Sequence, residues 1–179
     1  MIEAGPFSRL ARIDALAREG HTVTLEASSA EREALASFLE LPAIAVLAAT
    51  LRVEPWGRGG VRVTGSVHGE CTRTCVVSLE PFQATVDEAV DVRFAPQTAA
   101  DSSSLRAKET RTVSLEDEDE PDPVIDGKID LGAVAAEFFA LGLDPYPRKP
   151  GAVFEPPDEP RGEDSPFAAL ARRAKPARE

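Results

Sequence analysis

His68, Cys71 and Cys75 fall within eight residues of one another, and imidazole with thiolate is a donor set that zinc prefers. A closed zinc site takes four ligands, usually as two close pairs, whereas this chain offers one C-x3-C spacing and, as a further soft donor, only the remote His21. On a continuous strand over 61–75 the two cysteines would share a face yet sit about 13 Å apart, at ~3.3 Å per residue. A disulfide needs Cα atoms within ~7 Å. The pair is therefore expected to be ordinary buried or half-buried thiols, and the chain to carry neither metal nor cofactor. Nucleophilic catalysis finds no Gly-x-Ser-x-Gly elbow, and neither histidine has a recognisable base and orienter beside it. Carboxylates abound, but most must be surface charge. Gly57-Arg58-Gly59-Gly60 lies between strand-like stretches rather than before a helix, so it is expected to be a hairpin turn rather than a phosphate loop. Trp56 and Arg58 at that turn, with Arg52, Arg62 and Arg73 on the flanking strands, combine an aromatic with arginines. Such a patch could stack a base and pair with phosphates; the alternative is a Trp56 that packs the sheet end among solvated arginines.

Holding these residues requires a core, and 179 residues with 42% hydrophobic content suffice for one domain. No run approaches the ~18 apolar residues of a membrane helix, and MIEAGPFSRL lacks the form of a secretory signal. With only two cysteines, this leads to an expectation of a cytoplasmic protein with no membrane contact. Thirty-one acidic against 20 basic residues give a net charge of −11. A phosphate backbone is bound where Lys and Arg cluster, so any RNA contact must be local.

The period of the apolar residues changes along the chain. Phe7 and Ile13 mark a strand or extended arm, and His21 to Leu25 alternates as a strand. Ser28 with Glu31 has the form of a capping box, and Leu35, Phe38 and Leu39 follow at helical spacing to Pro42, predicting a helix over 29–40. From Ile44 to Pro96 the period is two: Leu51 and Val53; then Val61, Val63, Gly65 and Val67; then Phe82, Ala84, Val86, Val90, Val92 and Phe94. These read as an antiparallel meander. Residues 99–123, with Asp101-Ser102-Ser103-Ser104 and the run Glu116 to Glu120, are expected to form a mobile acidic loop. Asp130 is placed to cap a helix over 130–141 with Leu131, Val134, Phe138 and Leu141 on one face. Residues 149–179 read as a proline-rich tail ending in a short helical motif, Ser165-Pro166-Phe167 to Leu170, Arg172 and Arg173. The fold expected is α+β, an antiparallel meander, flat or curled into a barrel, covered by two or three helices. It forms one domain over 1–148, followed by the tail.

Three stretches carry a resemblance. Cys75-Val76-Val77-Ser78-Leu79-Glu80-Pro81-Phe82 is similar to a C-x-R-C knuckle followed by proline and an aromatic. Ile125-Asp126-Gly127-Lys128-Ile129-Asp130-Leu131-Gly132 is similar to a D-G-x-I-D-L run entering a helix, which closes here at Leu143-Asp144-Pro145-Tyr146-Pro147. Ser165-Pro166-Phe167-Ala168-Ala169-Leu170 is similar to an N-P-F-A-x-L ending. In this order they resemble the YceD family of large ribosomal RNA subunit accumulation proteins. One departure is that the second cysteine of the knuckle falls at Ser78, with Cys71 outside the motif. The resemblance implies a non-enzymatic factor that supports accumulation of large-subunit ribosomal RNA and assembly of the large subunit. It transfers no catalytic residue.

The partner then expected is the ribosome biogenesis machinery or a basic ribosomal protein. The candidate contacts are Arg52, Trp56, Arg58, Arg62 and Arg73, with Phe167, Leu170, Arg172 and Arg173 on the tail. A small metal-dependent RNA-processing hydrolase and a metal-binding module are the competing readings; the oligomeric state stays open.

Overall fold

The computed structural model describes residues 5–15, 20–96 and 121–154. Three long strands form its centre: β3 (Ala43–Trp56), β4 (Gly60–Thr74) and β5 (Pro81–Pro96). Strand β2 (His21–Glu26) pairs antiparallel with β3, and β6 (Asp122–Val124) pairs with the end of β5, giving the order β2-β3-β4-β5-β6. The expected meander is present, with two corrections. β6 runs parallel to β5, so the sheet is mixed. It is also open: among the described residues β2 and β6 are its two edges and do not meet, so there is no barrel. Asp122 and Pro123, expected in the acidic loop, lie in β6; the expected mobility concerns residues that otherwise fall mostly outside the described ones.

Alternation places the core. Leu51 and Val53 of β3, Val61, Val63 and Val67 of β4, and Val86, Val90 and Phe94 of β5 are buried on one face. The opposite face is polar, and Thr24, Thr50, Ser66 and Ala89 line up across four strands as one rung of small side chains. This is how an antiparallel sheet with one solvated face behaves. At the far end of the β3–β4 hairpin the turn at Gly57 and Gly59 uses positive φ at both glycines, as its composition predicts.

Helix α1 (Ser29–Phe38) packs against β3, and α2 (Leu131–Leu141) packs against β4 and β5 on the apolar face. The Ser28–Glu31 capping box forms, and Arg9 clamps the same Glu31 carboxylate through two bonds of 2.6 and 3.0 Å. That hydrogen-bonded guanidinium, joined by the Ser28 backbone N–H, pulls the Glu31 carboxyl down to about 2. The inward faces differ from expectation by a fraction of a turn. In α1 the buried pair is Leu35 and Ala36, with Phe38 71% exposed. In α2 the buried side chains are Leu131, Val134, Ala135 and Phe139, with Leu141 71% exposed. The short helical motif expected in the tail lies outside the described residues.

Asp130 organises the junction of arm and helix. Its Oδ1 accepts from the backbone N–H groups of Arg9, Gly132 and Ala133, and its Oδ2 from the Ser8 hydroxyl. The arm strand β1 (Leu10–Arg12) pairs with β7 (Lys128–Asp130), which Asp126 and Gly127 introduce through a turn with positive φ at both residues. This explains the Gly127, Asp130, Leu131 run: a left-handed turn, a cap, and a first apolar contact that is buried.

Gly69 is the point of closest approach between helix and sheet. A Cβ there would lie 2.4 Å from Cε2 of Phe139, itself fully buried. Gly69→Ala is expected to cost about 1–3 kcal/mol through overpacking. A differential scanning calorimetry trace should show the melting temperature lower by roughly 2–10 °C; an unchanged trace would show that α2 does not rest on β4 as described.

Candidate functional site

Strand β4 ends at Thr74, so Cys75 does not continue the face of Cys71 but opens a tight turn. The Cys75 N–H donates to the Glu80 carbonyl, and the Leu79 N–H returns to the Cys75 carbonyl. Inside this loop the Cys75 sulfur accepts from the N–H groups of Val77 and Ser78, each at 3.4 Å. The Ser78 hydroxyl and the backbone N–H of Lys149 also favour its charged form. Ser78, where the knuckle's second cysteine would fall, thus supplies a backbone hydrogen bond to the first. Donors aimed at sulfur favour the thiolate, and the Ser78 hydroxyl and N–H lead in drawing the Cys75 thiol down to about 6. Cys71 behaves oppositely: it belongs to the hydrophobic core, and burial pushes its thiol up. Both cysteines are free and buried, but the cover over Cys75 is its own turn and the segment at Lys149 rather than the core.

The turn is joined to the chain some seventy residues on. Val76 N–H donates to the carbonyl of buried Pro147 at 2.9 Å. Arg73, just before the turn, donates to the Asp144 carbonyl at 2.7 Å, and Lys149 pairs with Glu80 at 2.8 Å. Phe82, half-buried, stands beside Arg73 in register. Pro81 starts β5, and Pro145 leads exposed into Tyr146, whose N–H is held by the Asp144 carboxylate. Outward from this braced base project Val76, Leu79 and Tyr146, the last two 77% and 72% exposed. Leu79 has φ +59, a conformation that costs a residue with a Cβ roughly 1–2 kcal/mol. A strained, exposed leucine on a hydrogen-bonded turn is the kind of outlier found at binding surfaces.

The arginine patch expected around Trp56 is only partly assembled. Arg52 binds Glu54 at 2.7 Å, and Arg62 grips Asp91 through bonds of 2.8 and 2.6 Å. Trp56 is half-buried with the Arg93 guanidinium 5.5 Å from its ring centroid, and Arg58 is exposed at the turn. Arg73 does not belong to this patch. It lies eleven residues along β4 from Arg62, about 35 Å away at ~3.3 Å per residue. Phe167, Leu170, Arg172 and Arg173 lie outside the described residues. Sequence reasoning missed Val76, Leu79, Tyr146, Arg148 and Lys149. Only Tyr146, the single tyrosine of the chain, between two prolines, offered a signal.

Among the described residues no group of three or more His, Cys, Asp or Glu side chains could hold a metal ion. His68 instead bonds Asp87 at 2.7 Å on the polar sheet face. No helix among them is long and apolar enough to cross a membrane.

Residues 63–172 match the family model described as Large ribosomal RNA subunit accumulation protein YceD. The chain belongs to the YceD family. The match takes in the Cys75 turn and the loop to Pro147, which meet in space, as well as the Asp130 cap, and it extends to the Phe167 stretch. No curated protein and no solved structure matched the chain.

The Cys75 cage has a pH signature. A thiol lowered from 9.0 to about 6 on folding adds stability that is fully present above the unfolded value and is lost as pH falls through the folded one. The stability difference between the wild type and Cys75→Ser is therefore expected to grow from pH 6 to pH 9 under reducing conditions. Denaturant midpoints across that range check it; a difference that stays flat would mean that the sulfur is not held as thiolate.

Proposed function

We propose that this chain is a non-enzymatic binding factor that supports accumulation of large-subunit ribosomal RNA and assembly of the large ribosomal subunit in the cytoplasm. The observation that carries the reading is the convergence of two segments within the family match, 75–82 and 143–149, on one rigid base that displays Val76, Leu79 and Tyr146 to solvent. Braced apolar side chains on a convex turn suit the docking of a partner. A net charge of −11 favours one that is basic, such as a ribosomal protein. In this reading residues 1–148 act as one domain, and the tail, with Phe167, Leu170, Arg172 and Arg173, adds a second contact. Arg52, Arg58 and Arg62 contribute less, because acids already hold two of the three. A hydrolase would need convergent carboxylates around a metal, or a histidine base facing a substrate cleft; no metal-holding group is gathered among the described residues, and the His68–Asp87 pair lies exposed on the polar sheet face.

Depletion followed by sucrose-gradient profiles tests the reading. Cells lacking the chain should lose large-subunit ribosomal RNA and free large subunits relative to small ones. Complementation with Leu79→Asp, an exposed position whose change leaves the core intact, should fail to restore them. An unaltered profile after depletion would refute the function, and full rescue by Leu79→Asp would remove the turn from it.

A further inference from the structure

Beside the Cys75 turn a cleft of about 170 Å³ opens between the start of β5 and the loop after α2, with Arg73, Phe82, Thr85, Gly142, Pro147 and Arg148 in its lining. It is smaller than the ~300–1,000 Å³ of sites that engulf a whole small molecule, so it admits one chemical group at a time. Two of its walls are guanidinium-bearing. Arg73 is fixed in place by its bond to the Asp144 carbonyl, while Arg148 is exposed and its side chain has no partner among the described residues. Of the nearby acids, Asp144 belongs to the lining and its carboxylate accepts from the Tyr146 N–H, while Glu80 holds Lys149. Glu88 reaches the Gly142 wall, which confines an anion to the Arg73–Arg148 side. Tyr146, 72% exposed, stands in the same loop, between the lining residues Asp144 and Pro147.

We propose that this cleft binds single-stranded RNA, with one backbone phosphate between Arg73 and Arg148 and the adjoining base stacked on Tyr146. Guanidinium groups match phosphate oxygens in pairs, and an exposed aromatic ring offers a face to any base that is not already stacked in a duplex. The acidity of the chain excludes a long electrostatic track, so the contact is one nucleotide wide and suits a loop or an end rather than a helix. The inference deepens the functional reading above and rests on it for the choice of RNA; the rim of Val76 and Leu79 leaves room for a protein beside it.

The test is fluorescence anisotropy on the purified full chain with a labelled, mixed-sequence RNA of roughly ten nucleotides, within the ~4–16 nucleotide range of such sites. Duplex RNA of the same length and an acidic peptide serve as competitors. Arg148→Ala and Tyr146→Ala should each weaken binding about tenfold, in line with the ~1–3 kcal/mol of one stacked base. Arg148→Ala should also flatten the salt dependence by about 0.7 in log–log slope, the share of one phosphate on a single strand. Both positions are exposed and make no side-chain bond that holds the fold, so both variants should melt as the wild type does. The proposal is overturned if the RNA does not bind at low salt, or if duplex or acidic peptide competes as well as single strand. It is equally overturned if Arg58→Ala weakens binding while Arg148→Ala does not, which would place the contact at the Trp56 end. The titration uses purified protein, so its outcome is independent of the depletion phenotype, and either idea can fail alone.

Discussion

Everything in this structure is referred to strand β4. Among the described residues it is the one long strand with long partners on both sides, paired to β3 from Gly60 to Thr72 and to β5 from Val61 to Thr74. Because its side chains alternate, the parity that buries Val61, Val63, Val67 and Cys71 also commits Arg62, Thr64, Ser66 and His68 to the polar face. A slip by one residue would exchange the two sets. The glycine at 69 belongs to this parity: it falls on the apolar face where Phe139 needs the room. One strand thus sets where both helices can lie and which charges can meet.

The same strand carries the site outward. β4 delivers Arg73 and then Cys75 at the edge of the sheet, where regular pairing ends and backbone N–H groups need other acceptors. The Cys75 sulfur takes two of them, and the Pro147 carbonyl takes another from Val76. The sulfur gathers the turn's own N–H groups while the Val76 bond ties the turn to a segment seventy residues away. The exposed side chains owe their rigidity to that buried hub, not to packing of their own.

The parts of the fold governed by local periodicity were legible in the sequence. The alternation from Leu51 to Phe94, the Gly57–Gly60 turn, the Ser28–Glu31 box and the Asp130 cap all describe a residue's relation to near neighbours. Phe38 and Leu141 misled because helical spacing defines a stripe but not its edge: with Ala36 or Phe139 turned inward, the residue two further on swings to solvent. The parallel β6 and the arm strand β1 were hidden for a different reason. Each is three residues long, and its partner is remote in sequence. The candidate site shared that fate. Nothing in the neighbourhood of Leu79 announces a left-handed backbone at a leucine, and nothing near Arg73 points to Asp144.

The β1–β7 ladder joins Leu10 to Asp130 across most of the described chain, and that span gives the fold an order of assembly. The hairpins β3–β4 and β4–β5 close short loops and can zip from their turns, whereas the arm must close a loop of more than a hundred residues for three residues of pairing. Closure entropy rises as the logarithm of loop length, so most of this cost falls away once the sheet and α2 have already brought Asp130 near the start of the chain. The arm is then a latch set last upon a finished sheet. Its hold combines the Asp130 carboxylate, which binds Ser8, Arg9 and the first turn of α2 together, with the Arg9–Glu31 clamp and the buried Phe7 ring.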